Sequence, residues 1–239
     1  DQYGISPYIA EDLLTPTAKH NVSFHETHAY VVLHFPAFKD SDSETAFELD
    51  FVVGQDFLIT VHYHEMTVLN DFAASLATGL PEASSDRNAV LFGLLRALIA
   101  DFNEKLAKVD YWVRDLEKNM FAGKEKRTIF ELSEASRHLI DFKKITSVYP
   151  DSLKTFGEEG EKLFGAGFKE EALVALETFN RAKVKLDMLS EAVKELRETN
   201  ASILSTKQNE NMKYLTIITI IATIIVGISL TVLGYLALK

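Results

Sequence analysis

The chain of 239 residues contains no cysteine. Disulfide frameworks, thiolate zinc sites and cysteine nucleophiles are thereby excluded. Positive charge is also scarce: 25 Lys+Arg stand against 35 Asp+Glu, a formal net charge of −10. So acidic a chain is a poor partner for phosphate backbones, and nucleic acid is not an expected ligand. No phosphate-cradling glycine loop with lysine, nucleophile elbow or dinucleotide fingerprint occurs, and the chain reads as a non-enzyme. Gly157 and Gly160 bracket two glutamates but lack the strand context of a nucleotide loop. Neither Pro nor Gly interrupts the stretch from Lys169 to Val226. The largest absence is of charge itself: none lies between Tyr214 and Leu238.

That uncharged run is about 25 residues long. As a helix it reaches roughly 37 Å at about 1.5 Å per residue, more than a hydrocarbon core of about 30 Å. Lys213 and Lys239 bracket it, and Tyr214 and Tyr235 stand near its ends, where amphipathic rings favour the membrane interface. The run reads as a transmembrane helix over 214–238. Lys207 and Lys213 precede it and only Lys239 follows, so residues 1–213 are expected in the cytoplasm, beneath the cell (inner) membrane.

The rest of the chain falls into three parts. Residues 1–85 read as a mixed domain. Its β-rich portion, 21–63, is punctuated by Pro36, the polar run 39–44 and Gly54. Segments 45–53 and 56–63 are expected to pair as a hairpin, and 66–78 to form a short helix ending near Gly79 and Pro81. Residues 86–168 read as an antiparallel helix pair and a connector. The first helix starts at Ser85-Asp86 and carries Leu91, Leu95, Leu98, Phe102, Val109, Trp112 and Leu116. A turn at Ala122-Gly123-Lys124 follows. The second carries Leu132, Ala135, Leu139, Phe142 and Tyr149 and is expected to end at Pro150. The glycine-bearing connector 151–168 is expected to be loose.

Residues 169–213 read as a long stalk helix running into the span. Ala172, Ala175, Phe179, Ala182, Leu186, Leu189, Val193, Leu196, Asn200 and Ile203 recur at alternating intervals of three and four. Such a seam serves a bundle within one chain or a self-associating coiled coil. Its direct continuation into an apolar run favours the second. Asn200 on the seam would set its register.

The junction between stalk and span carries a resemblance. Residues 208–225 read QNENMKYLTIITIIATII. Asn209, Met212, Lys213, Leu215, Thr216 and Ala222-Thr223-Ile224 resemble the start of the first transmembrane helix of the CorA family of magnesium channels. The order of parts agrees, and Phe57-Leu58-Ile59-Thr60-Val61 resembles the family strand after the hairpin. The resemblance implies a CorA-like funnel: an α/β N-terminal cytoplasmic domain plus a long helical stalk continuing into a transmembrane helix. It also implies a homopentamer, bilayer lipid around it, and Mg²⁺ as both transported and regulatory ion, with no organic cofactor. The family pore helix ends in Gly-Met-Asn. Alignment on Met212-Lys213 places Leu233-Gly234-Tyr235 there, and alignment on Ala222-Thr223-Ile224 places Leu236-Ala237-Leu238 there. Gly227 stands near the family's intrahelical proline, and no second span follows in this sequence. A fragment, a divergent member and a degenerate relative all fit that pattern.

Thr216, Thr219 and Thr223 share a helix face, which suits a pore lining or helix packing. Ser229 and Thr231 are further polar positions in the span. The expected pore-lining residues are Asn209, Met212, Leu215, Thr219 and Thr223. Asn209 offers a carbonyl to an arriving ion, and Met212 and Leu215 form an apolar neck able to gate by dewetting. Asp101, Glu104, Asp110, Asp115, Glu117, Glu170, Glu171, Glu177 and Asp187 supply acidity that draws cations. The expected function is CorA-like, channel-type passage of Mg²⁺, with Co²⁺, Ni²⁺ or Zn²⁺ as further cargoes, closed by intracellular divalent cation. The alternative is a non-transporting, single-span scaffold or Mg²⁺ sensor of the same ancestry. A third reading uses His62 and His64, two apart on a strand, as ligands of a metal enzyme with Glu26 or Glu65 near.

Overall fold

The computed structural model describes residues 3–38, 46–78 and 86–237, with side chains described through Leu230. The polar run at 39–44, Gly79, Pro81 and Ser85, and the side chains of Thr231, Leu233, Tyr235 and Leu236, lie outside the described residues.

Four strands, β1 (Asn21–Phe24), β2 (His28–Pro36), β3 (Ala46–Gly54) and β4 (Leu58–His62), form one antiparallel sheet in chain order. The expected hairpin is β3 with β4, in register Phe51 to Thr60. Ala29, Val31, Leu33 and Phe35 of β2 and Leu49, Phe51 and Val53 of β3 turn one face to the main core. On the other face Tyr30, Val32 and Val52 pack on Ile9 of a short helix, α1 (Pro7–Asp12). Both faces are covered, so the central strands read as nearly unbroken apolar runs.

Helix α2 (Thr67–Ala77) follows, then α3 (Arg87–Phe121) and α4 (Glu125–Thr146). Asp86 caps α3, its carboxylate accepting from the Asn88 N–H at 3.2 Å. The expected apolar stripe is buried along α3, with Val113 rather than its neighbour Trp112 at the fully buried position. Gly123, at φ 89°, makes the turn into α4, in a left-handed conformation that glycine adopts without strain.

Two expectations are corrected here. The second helix ends at Thr146, and Tyr149 and Pro150 begin a new helix, α5 (Tyr149–Phe164). Proline is well placed in a first turn, where its missing N–H has no partner to lose. Segment 151–164 is therefore helical, not loose. Its glycines serve close packing: a Cβ on Gly160 would fall 2.3 Å from the Phe168 ring, and one on Gly157 2.9 Å from the Ala172 Cβ.

The last element, α6 (Ala166–Ala237), is a single helix of 72 residues. Its seam from Ala172 to Val193 is buried within this chain, against α3, α4 and α5. The seam therefore serves the chain's own bundle, and the self-associating coiled-coil reading of it is set aside. Three partner helices arrive from earlier in the chain, and their apolar stripes cover it completely.

Candidate pore-lining segment

The site is built on α6 where it leaves its own bundle. Asn200 is the last buried residue of the seam. Its side-chain amide donates to the Glu125 carbonyl at the start of α4, at 3.0 Å. Lys207, two turns on, pairs with the Glu125 carboxylate. That hydrogen bond, with the Lys207 charge, holds the Glu125 carboxyl below its usual range. From Gln208 to Leu230 every residue of α6 is exposed, and none of its most apolar stretch is buried inside the chain.

The exposed stretch is apolar on nearly every side, with Ile217, Ile218, Ile220, Ile221, Ile224, Ile225 and Ile228 all open. A helix that is apolar all round needs an apolar surrounding. Asn209 lies nine positions beyond Asn200, about two and a half turns, and so faces away from the side that binds α4. Met212, Thr216, Thr219 and Thr223 continue that strip at intervals of three and four, with Leu215 beside them. All six are exposed.

The threonine hydroxyls each donate to their own helix: Thr216 to the Met212 carbonyl at 2.9 Å, Thr219 to Leu215 and Thr223 to Thr219 at 2.8 Å. Back-bonding of this kind occupies the proton and leaves the oxygen lone pairs outward. The strip therefore presents acceptors. Acceptors are what the water shell of a hydrated divalent cation requires, because metal-bound water is a donor. The helix continues unbroken through Gly227.

Several other sequence candidates prove to be surface features. Asp101 pairs with Lys105, Asp110 with Arg114, Glu171 with Arg96, Glu177 with Arg181 and Asp187 with Lys143. Asp115 accepts from Asn119. Strand β4 ends at His62, whose ring Nδ1 lies 2.8 Å from the His64 carbonyl, while the His64 ring lies against Phe47. Among the described residues no three His, Asp or Glu side chains converge as metal ligands. The histidine metal-enzyme reading finds no third ligand there.

The sheet holds a polar cluster that sequence reasoning passed over. Glu48 and Asp50 are buried on the α1 side of β3. Glu48 accepts from the Thr17 N–H at 2.6 Å and stands 3.2 Å from His34 Nε2. Tyr30 and Tyr63 donate to Asp50 at 3.2 and 3.4 Å. Burial, then the neighbouring Glu48 charge, pushes the Asp50 carboxyl up to about 7. Burial and the nearby His34 lower His20 to about 4. The signal was available: two carboxylates at alternate positions inside an otherwise apolar strand share one face.

Comparisons with known proteins agree with this architecture. The family model of the CorA-like Mg²⁺ transporter protein matches residues 1–228. The cobalt/magnesium transport protein CorA of Thermotoga maritima is 24% identical over 241 residues, covering 95% of this chain and 66% of its own. This chain thus spans just under two thirds of that relative. Among solved structures, the complete CorA magnesium transporter of Methanocaldococcus jannaschii matches with a TM-score of 0.78 at 17% identity, over 91% of this chain and 69% of that one. The cytoplasmic domain of ZntB from Vibrio parahaemolyticus matches at 0.69 and 11% identity, over 87% and 80%. These structural likenesses establish the shared fold: a small antiparallel sheet domain, a helical bundle, and a long helix carrying an apolar end. With nearly its whole length matched by the family, the chain belongs to the CorA-like Mg²⁺ transporters, a family of channel-type transporters and not of enzymes.

Proposed function

We propose that this chain forms, with identical copies, a channel that passes Mg²⁺ down its electrochemical gradient. The observation that carries the reading is α6 itself. One unbroken helix links a folded domain to an exposed apolar stretch bearing a strip of outward threonine oxygen acceptors. In this reading residues 214–238 cross the cell membrane and residues 1–213 lie in the cytoplasm. Five copies, the number the family resemblance implies, bring Asn209, Met212, Leu215, Thr219 and Thr223 to a common axis. Asn209 meets the hydrated ion, Met212 and Leu215 form the apolar neck, and Thr219 and Thr223 accept from its water shell. Intracellular divalent cation holds the closed state by bridging protomers.

The test is Mg²⁺ uptake by proteoliposomes holding the 239-residue chain, followed with an internal indicator dye. Uptake above protein-free vesicles, reduced by preloaded Mg²⁺, is the expected result. Correctly inserted protein with no uptake defeats transport by this chain and turns the reading to a membrane-anchored Mg²⁺ sensor or scaffold.

A further inference from the structure

The turn between α3 and α4 differs from the rest of this acidic chain. Residues 118–127 carry Lys118, Lys124, Lys126 and Arg127 against Glu125 alone. That one carboxylate is occupied by Lys207 of α6. Arg127 shares its charge with Glu131 at 2.8 Å, and Lys124 donates to the Asn119 side chain at 2.9 Å. Lys126 has no ion-pair partner among the described residues. Two aromatic rings flank these cations in the open: Phe121 is 66% exposed and Phe130 77%.

The position of the turn along α6 gives this composition its meaning. Phe92 on α3 meets Phe168, and Phe102 meets Phe179, so α3 ascends beside α6 in the same direction. The turn therefore lies at the far end of the bundle. A cleft of about 640 Å³ separates it from α6, lined by Lys124, Lys126, Arg127, Lys207 and Asn211 together with Glu125, whose charge Lys207 offsets. Asn211 stands three residues before Tyr214, where the uncharged run begins, and Lys207 seven. At about 1.5 Å per residue these are roughly 5 and 10 Å from the apolar stretch. The headgroup layer of a bilayer is about 5–8 Å deep on each side. The start of α4 is held level with Asn200, roughly 21 Å before Tyr214 at about 1.5 Å per residue, so it is the long Lys124, Lys126 and Arg127 side chains, lining the cleft towards Asn211, that reach up to the headgroup layer.

We propose that the α3–α4 turn docks on the anionic phospholipid surface that α6 enters, with lipid phosphates seated in the cleft. The inference rests on the reading that α6 spans the membrane. Lys126 and Arg127 supply the main phosphate contacts, and Lys124 and Lys207 line the cleft beside them. Because the turn is tied to α6 through Asn200 and Glu125, lipid charge bears directly on the helix that enters the bilayer.

The chain has no cysteine, so Ala122→Cys places a single nitroxide label at the turn. The labelled full chain is reconstituted in phosphatidylcholine vesicles with and without phosphatidylglycerol, and label depth is read from its accessibility to water-soluble and lipid-soluble relaxers. Resistance to carbonate extraction reports insertion separately. The expected result is a label at headgroup depth only with phosphatidylglycerol, withdrawn by high salt. Lys126→Gln and Arg127→Gln each lower the docked population about fivefold, with insertion unchanged. A label depth indifferent to lipid charge and to both substitutions overturns the proposal. So does label–label broadening independent of lipid, which assigns the cleft to a second copy. Extraction by carbonate overturns the spanning reading, and the docking with it.

Discussion

The Asn200 side-chain amide donates to the backbone carbonyl of Glu125 across 75 positions of sequence, at 3.0 Å. Both residues are buried, and the contact lies where the helical bundle ends and the exposed part of α6 begins. Replacing Asn200 with alanine removes the donor and opens space beside the α4 start. The expected cost is about 1–3 kcal/mol, with looser attachment of the α3–α4 turn. Thermal unfolding of the full chain in detergent and faster protease cleavage near Gly123 measure the two effects.

Gly160→Ala is expected to destabilise by about 1–3 kcal/mol, because the added methyl meets a ring that cannot swing aside. Phe168 is completely buried among Phe92, Phe156 and Phe164, at centroid distances of 5.0, 5.0 and 4.8 Å. Gly167→Ala is the contrasting variant, since nothing lies within 4 Å of its added Cβ. It is expected to be neutral or mildly stabilising. Equal melting temperatures for the two variants would refute the close-packing account of α5.

Asp50 makes the sheet domain sensitive to pH in a direction opposite to most carboxylates. Its group titrates at about 7 in the folded chain against an ordinary 3.8. Between those values the folded state holds a proton that the unfolded state has lost. Stability from this group therefore declines as pH rises from about 4 to 7, by up to about 1.4 kcal/mol per pH unit, and levels off above. Asp50→Asn stays neutral and keeps an acceptor for Tyr30 and Tyr63. Its melting temperature should climb relative to the parent across that window. Parallel curves would mean that Asp50 ionises at its ordinary value. His20, lowered to about 4, is common to both proteins and cancels in the difference.

Thr219→Val and Thr223→Val keep the shape of the strip and remove its oxygen acceptors. Each is expected to lower Mg²⁺ uptake by about tenfold, the loss of roughly 1.4 kcal/mol of interaction with the ion's water shell. Serine at either position should restore most of it. The proteoliposome flux assay decides this, with inserted protein quantified in parallel. Unchanged flux in the valine variants would remove these threonines from the pore.

The local elements were legible because their signals are local. An uncharged run, an N-capping Asp86 and stripes at helical spacing each mark one segment without reference to any other. The partners of those segments were not legible. The heptad seam from Ala172 to Val193 fits a contact between copies or within one chain, because periodicity describes one surface and not what covers it, and its continuation into the apolar run favours the former. Only the return of α3, α4 and α5 onto α6 decided that it belongs to the chain's own core. The same holds for Gly157 and Gly160, where tight helix contact and looseness leave the same letters in the sequence. It holds also for Glu48 and Asp50, whose alternation is visible but whose burial depends on α1 folding over them. The strip from Asn209 to Thr223 was read from the family resemblance at the junction, with helical spacing placing Thr216, Thr219 and Thr223 on one face. The tertiary structure added that Asn209 faces away from the bundle and that the threonine oxygens point outward as acceptors. Sequence specifies which faces are apolar or polar through short-range order. Which face meets which is settled by long-range packing, where burial of matched surfaces selects one arrangement from several that the local pattern allows.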